Sequence, residues 1–197
     1  PGGATSSELT GEIEAGSAVS AILMQGDFNF GATGTVTHVD GDQLLAFGHP
    51  FFQWGSVEMP LAQAEILTVI RSLSSSFKLS NMGAQVGRVY QDRLTGIAAE
   101  LGPLSPMSDF SVSVRYPDFE DKLFSAKMFR HPRLSPIVGA MATMEALRGG
   151  LEYSEELTLR VKTTIDVEGY DPIEVTDIFA GIGVDSAAAF QQLAIHQ

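Results

Sequence analysis

A histidine held between a glycine and a proline, in the apolar run LLAFGHPFFQWG (residues 44–55), is the side chain here best set to move protons. Imidazole is the one side chain whose ordinary pKa lies close to neutrality, so it can take and return a proton at physiological pH. Gly48 leaves the backbone free on one side of His49, Pro50 fixes φ on the other, and Phe47, Phe51, Phe52 and Trp54 stand around it. Two readings are open. His49 is a catalytic base on a rigid strand end, or it is a turn histidine that hydrogen-bonds to its own loop. A base needs a nucleophile within hydrogen-bond reach and usually an acid that orients it.

The other candidates for chemistry are weaker. His196 belongs to the terminal residues, His131 lies in an Arg-His-Pro loop that reads as structural, and His38 sits half-exposed on the THVD strand. No HxxxH or HxH pair occurs, so nothing calls for a metal, and no motif calls for a cofactor. Serines are plentiful but unactivated: there is no Gly-x-Ser-x-Gly elbow and no Gly-Asp-Ser-Gly or Ser-Gly-Ser-Pro loop to build an oxyanion hole. Ser72, Ser74, Ser75 and Ser76 form a polar cluster that reads as structural. Asp92, in YQDRLTG, is either an orienting acid or a turn residue paired with Arg93 or with backbone amides. No spacing singles out a carboxylate pair for glycoside chemistry among the 24 acidic residues.

Composition sets further limits. Twelve Lys and Arg against 24 Asp and Glu give a net charge of −12 over 197 residues, which argues against a nucleic-acid backbone or an anionic membrane surface as partner. The absence of cysteine removes disulfides, thiolate zinc sites and a cysteine nucleophile. No apolar run approaches the roughly 18 residues of a membrane span. The chain opens at Pro1 without an initiator Met or a signal peptide, which reads as a fragment of a longer precursor.

The elements that must position His49 read mostly as strands. Residues 18–23 form a short apolar strand, with a turn at Gln25-Gly26-Asp27. Thr33–Val39 alternates, Asp40-Gly41-Asp42 turns, and Gln43–Phe47 runs back, a hairpin whose second arm leads directly into His49. Leu61–Leu73 is expected as a strand, then SFKLS, QVGRVYQDRL and GIAAELG as three short strands broken at Asn81-Met82-Gly83 and Thr95-Gly96. FSVSVRY and KLFSAKMF pair across Pro117-Asp118. A helix follows, with Ser135 as N-cap, Pro136 at its first position, and an apolar stripe of Ile137, Met141, Met144 and Leu147 that should face the core. ELTLRVKTTIDVEG and DPIEVTDIFAG are strands, and Asp185 caps a last helix, SAAAFQQLAIH. The expected class is mostly β with a few helices (α+β): residues 1–16 a flexible arm, 17–102 a barrel-type β-rich subdomain carrying His49, and 103–197 a strand–helix–strand subdomain.

The stretch GATGTVTHVDGDQLLAFGHPFFQWGSVEMPLAQAEILTVIRSLSSSFKLS, followed by GRVYQDRLTGIAAELG, resembles the SpoIVB-type serine peptidase family. It is most similar to the larger exported bacterial branch, which shares a Gly-Thr-Val-Thr, Asp-Gly-Asp, Phe-Gly-His-Pro core, and the likeness covers residues 17–102 well and the later strand–helix–strand part more loosely. The resemblance implies a fold similar to the chymotrypsin-like double barrel, an extracytoplasmic location and a catalytic base at His49. It also implies a serine nucleophile in a Gly-Met-Ser-Gly-Ser-Pro segment, which this sequence lacks and which lies upstream in that branch. The chain is then expected to be inactive alone. Its partners would be a protein or peptide substrate, the missing upstream segment and, through the aromatic loop, a second copy. The alternative is a non-catalytic β-rich scaffold that binds a peptide or a partner domain.

Overall fold

The computed structural model describes residues 11–73, 76–115, 120–148, 156–165 and 169–182. They form ten strands and one helix: β1 (Ala18–Gly26), β2 (Phe30–Asp40), β3 (Gln43–Ala46), β4 (Gly55–Ile70), β5 (Phe77–Arg93), β6 (Gly96–Leu101), β7 (Met107–Val114), β8 (Lys122–Phe129), α1 (Leu134–Arg148), β9 (Glu156–Ile165) and β10 (Ile173–Ile182). The class is mostly β with a helical element, α+β. The chain falls into two compact units, Pro1–Asp109 with Ser125–Arg130, and Phe110–Phe124 with His131–Gln197. The expected terminal helix at 186–196, His196, Ser74, Ser75 and the Pro117-Asp118 turn lie outside the described residues, as does most of the 1–16 arm. Among the described residues, no helix is long and apolar enough to cross a membrane.

Six antiparallel strands of the first unit close on themselves in the order β1-β2-β3-β6-β5-β4, because β1 pairs with both β2 and β4. Alternation explains the ring. Leu44 and Ala46 on β3, and Ile97 and Ala99 on β6, point inward at every second position and are buried, while Leu45 between the first pair is exposed. Val19, Ala21, Val36, Met59, Leu61 and Val89 complete this core. Each of the Val, Leu, Ile and Met side chains among them contributes about 1.5–3 kcal/mol by leaving water, and the alanines less. Gly41, at φ 57, makes the two-residue turn between Asp40 and Gln43 that sets the β2–β3 register.

Several elements differ from the sequence reading. β1 runs on through Gln25 and Gly26, where a turn was expected, because its end gains a second partner: Met24, Gln25 and Gly26 pair with Met128, Lys127 and Ala126 of β8. β4 begins at Gly55 instead of Leu61. SFKLS and QVGRVYQDR are one strand of 17 residues, not two. Asn81-Met82-Gly83 bends it without breaking it, since bulges in the β4–β5 ladder absorb the change of direction. The β4–β5 hairpin therefore leaves the ring as a two-stranded arm, Ala64–Ile70 against Phe77–Met82.

In the second unit the helix is capped one turn earlier than expected. His131 Nδ1 accepts the N–H groups of Arg133 and Leu134 (3.2 and 3.3 Å), Pro132 follows it, and Ser135 Oγ accepts the His131 N–H in return (2.8 Å). A ring nitrogen thus does the work usually given to a short side-chain oxygen, and Ser135 is its reciprocal partner, not the cap. Burial, and secondly the charge of Arg133, hold the His131 pKa below its ordinary value, which favours the neutral ring that can accept. The apolar stripe is also rotated from the expected one. Val138, Ala142 and Ala146 are buried with Ala140, while Ile137 (39% exposed) and Met141 (43%) face outward. The face that leaves water is the one with small side chains, and Ile137 and Met141 lie outside it.

Candidate functional site

His49 lies in the crossover from β3 to β4, a segment with several unusual backbone angles. Phe47 (φ 78), Gly48 (φ 74) and Gln53 (φ 60) are all left-handed, and for the two non-glycine residues this costs about 1 kcal/mol or more each. The surroundings hold the loop in that shape. Asp92, at the end of β5, is completely buried and accepts three backbone N–H groups from the loop. Oδ1 takes Phe51 at 2.8 Å, and Oδ2 takes Phe52 at 2.7 Å and Trp54 at 3.4 Å. A buried carboxylate is tolerable only with such partners, and charge-assisted bonds of this kind are the strong ones. Asp92 therefore pairs with backbone amides, one of its two expected roles, while Arg93 turns to Gln91.

On the other side, the Phe47 N–H donates to Thr35 O (2.9 Å) and the Phe47 ring packs against Gly34. Any Cβ at position 34 would run into that ring. The aromatic groups form a chain from there. Phe47 stands 5.7 Å from the His49 ring and edge-on to Phe51 at 6.0 Å; Phe51 meets Phe52 at 4.1 Å, and Phe52 stacks on Trp54 at 4.6 Å. Phe52, 38% exposed, is the outer member.

The His49 ring is exposed and its Nδ1 lies 2.8 Å from Pro50 O. A carbonyl oxygen can only accept, so Nδ1 carries the proton and Nε2 of the neutral ring keeps its lone pair. The ring borders an open groove of about 650 Å³. One wall is β2 with Thr33 and Thr35, and the other is the outer part of β5 with Lys78 and Ser80. Hydroxyls bridge the walls: Ser20 Oγ, Thr33 Oγ1 and Ser80 Oγ follow one another at 2.5 and 2.6 Å, and Lys78 Nζ donates to Thr35 Oγ1 at 2.5 Å. Gln25 Nε2, donating to Gly83 O (2.8 Å), ties the bend of β5 back to β1.

Of the residues singled out in the sequence, the fold brings His49 and Asp92 to one loop, but Asp92 grips the loop backbone and makes no hydrogen bond to the imidazole. His38 is exposed on β2, and His131 caps α1. Ser76 Oγ accepts the Ser72 N–H and donates to Ser72 O, closing the tip of the arm, which is a structural use of that cluster. No serine hydroxyl among the described residues is hydrogen-bonded to His49. Nor do the described residues contain a group of three His, Asp or Glu side chains able to hold a metal. Sequence reasoning missed Lys78, Ser80, Thr33 and Thr35. The alternation of each pair puts it on one strand face, but nothing local foretells that the two faces meet.

In comparisons with known proteins, no family model, no curated protein and no solved structure matches this chain.

Proposed function

We propose that the chain is the histidine-bearing part of a serine endopeptidase of the SpoIVB type, with His49 as the general base of acyl transfer. The observation that carries this reading is the imidazole itself. Its Nδ1–H is occupied by Pro50 O, and its Nε2 is left as an acceptor on an anchored loop at the mouth of a groove. In the proposed reaction, a serine hydroxyl from a Gly-Met-Ser-Gly-Ser-Pro segment beyond these residues attacks the peptide carbonyl and passes its proton to His49 Nε2. The imidazolium then protonates the departing amine, and water completes the cycle by the same route. Pro50 O fills the position that a carboxylate takes in a Ser-His-Asp triad. It fixes the same tautomer, but as a neutral acceptor it stabilises the imidazolium less. The groove is lined by β2 and β5, and the resemblance implies a location outside the cytoplasm for such an enzyme.

The test is reconstitution in trans. The chain alone should neither hydrolyse a peptide substrate nor react with a fluorophosphonate at a single serine. Adding the upstream serine segment should restore both, with the hydroxyl about 3 Å from Nε2. His49→Ala should then lower hydrolysis by about 10²–10⁴-fold while the two pieces still associate. Equal hydrolysis by the wild-type and His49→Ala mixtures would overturn the proposal. The second reading, a peptide-binding scaffold, is favoured by one observation: the Nδ1 bond to the residue's own loop is also what a turn histidine makes. Peptide binding without turnover in the reconstituted mixture would select it.

A further inference from the structure

From the outer edge of β4 we infer that the chain forms a two-fold dimer by pairing this edge with the same edge of a second copy. β1 covers β4 only at Leu61, Ala62 and Gln63, and β5 pairs with the opposite edge up to Ile70. From Glu65 to Ile70 the outer edge has no ladder partner among the described residues, and every residue from Glu65 to Arg71 is exposed, Leu67 by 52% and Val69 by 50%. An unpaired edge presents a row of backbone donors and acceptors, and proteins usually blunt one with a charge, a proline or a bulge. Between Ile66 and Ile70 there is no charge and no proline, and the one irregularity is the bulge between Ile66 and Thr68.

The identity of the occupant follows from the spelling. Glu65-Ile-Leu-Thr-Val-Ile-Arg71 is a pseudo-palindrome centred on Thr68. Antiparallel pairing about a two-fold axis at Thr68 sets Ile66 opposite Ile70, Leu67 opposite Val69, and Glu65 opposite Arg71 of the second copy, so that each end of the seam carries one pair of opposite charges. Neither Glu65 nor Arg71 is in an ion pair among the described residues, so both are available. The bulge between Ile66 and Thr68 falls symmetrically on the two strands, one on each side of the axis. Pairing also addresses a weakness of the arm itself. A lone two-stranded ribbon is marginally stable in water, whereas two arms joined edge to edge make a four-stranded sheet, β5-β4-β4-β5. The other edge of the arm, along β5, still faces the groove, so the inference stands apart from the reading of His49.

Light scattering after size exclusion over a range of concentrations should give a mass that rises to twice that of one chain. Glu65→Arg or Arg71→Glu alone places like charges at both ends of the seam and should raise the dissociation constant about tenfold, and the two together should restore it. The chain has no cysteine, so Thr68→Cys supplies a single thiol. Across an antiparallel pair its Cα would lie about 4.5–5.5 Å from its own copy, within disulfide reach, so mild oxidation should cross-link it. Leu67→Cys, displaced by two positions from its own copy, and the exposed turn variant Leu94→Cys should not cross-link. A mass of one chain at every concentration overturns the inference. So does a dimer that ignores both charge reversals, or a Thr68→Cys variant that cross-links no faster than Leu94→Cys.

Discussion

The histidine loop and the β4–β5 arm both leave the same ring of strands, and they are held in opposite ways. The loop is short, adopts three left-handed backbone angles, and is gripped from beneath by a fully buried carboxylate and from the side by an aromatic ring seated on a glycine. The arm is long and has regular extended backbone broken by bulges. It exposes Ile66, Leu67, Val69, Ile70, Phe77 and Leu79, and its polar ties to β2 are the side-chain bonds of Ser80 to Thr33 and of Lys78 to Thr35. The contrast separates two uses of a segment. A strained loop with many anchors holds its backbone in one shape. Regular backbone with an open edge offers its hydrogen-bonding groups to a partner strand.

Removing the pin from the loop is the most drastic way to abolish this contrast. Asp92→Ala leaves the N–H groups of Phe51, Phe52 and Trp54 without their acceptor and should cost about 3 kcal/mol or more in urea unfolding. Asp92→Asn, which keeps one acceptor oxygen, should fall between it and wild type. Trp54 is the only tryptophan and belongs to the loop, so its fluorescence reports the loop directly. If Asp92→Ala unfolds at the wild-type urea concentration, the loop is held by its aromatic chain and not by the carboxylate. A subtler change attacks the side support. Gly34→Ala drives a methyl group into the Phe47 ring and should cost about 1–3 kcal/mol, with a shifted Trp54 emission as the ring moves.

The smallest expected effect comes from a weaker pin of the same design, the half-exposed His131 ring with two backbone donors instead of three. His131→Ala should cost about 1 kcal/mol in thermal unfolding. Because the folded-state pKa of His131 is lowered, the unfolded chain binds more protons as pH drops past the ordinary value near 6.5. Its contribution is therefore complete above that value and is lost as pH falls through it toward the lowered one. His131→Asn, a good cap that does not titrate, should keep the helix stable and flatten this part of the pH profile. An unchanged profile in His131→Asn would assign the dependence to other groups.

How much of this was legible in the residues depended on how local each feature is. The Asp-Gly hairpin leading into His49 and the strand KLFSAKMF are short-range patterns, and both appear where the spelling puts them. The closure of six strands into a ring depends on β1 meeting β4 across the intervening hairpin, which no window of neighbouring residues contains. Asn81-Met82-Gly83 carries the composition of a turn, but a ladder on one side of it turned that preference into a bend. Ser135-Pro136 looked like a helix start, and His131-Pro132 one turn earlier won because its ring could also reach the first free amides. Asp92 stood out for its charge, and its partners were readable only as two alternatives. The groove that joins Lys78 and Ser80 to Thr33 and Thr35 exists only once the arm has bent.

β1 takes hydrogen bonds from β2, β4 and β8 along its nine residues, and this has a consequence for the order in which the molecule assembles. The hairpins β1–β2, β2–β3, β4–β5 and β5–β6 each close through a local connection and can form as soon as their residues are made. The seam from Val19 to Gln63 cannot, because a long intervening loop must first be brought together at an entropic cost. Ring closure is therefore the late event of folding. Until it happens, β1 is paired with β2 on one edge and open on the other, while the bare edge of β4 is already able to pair with whatever strand reaches it first.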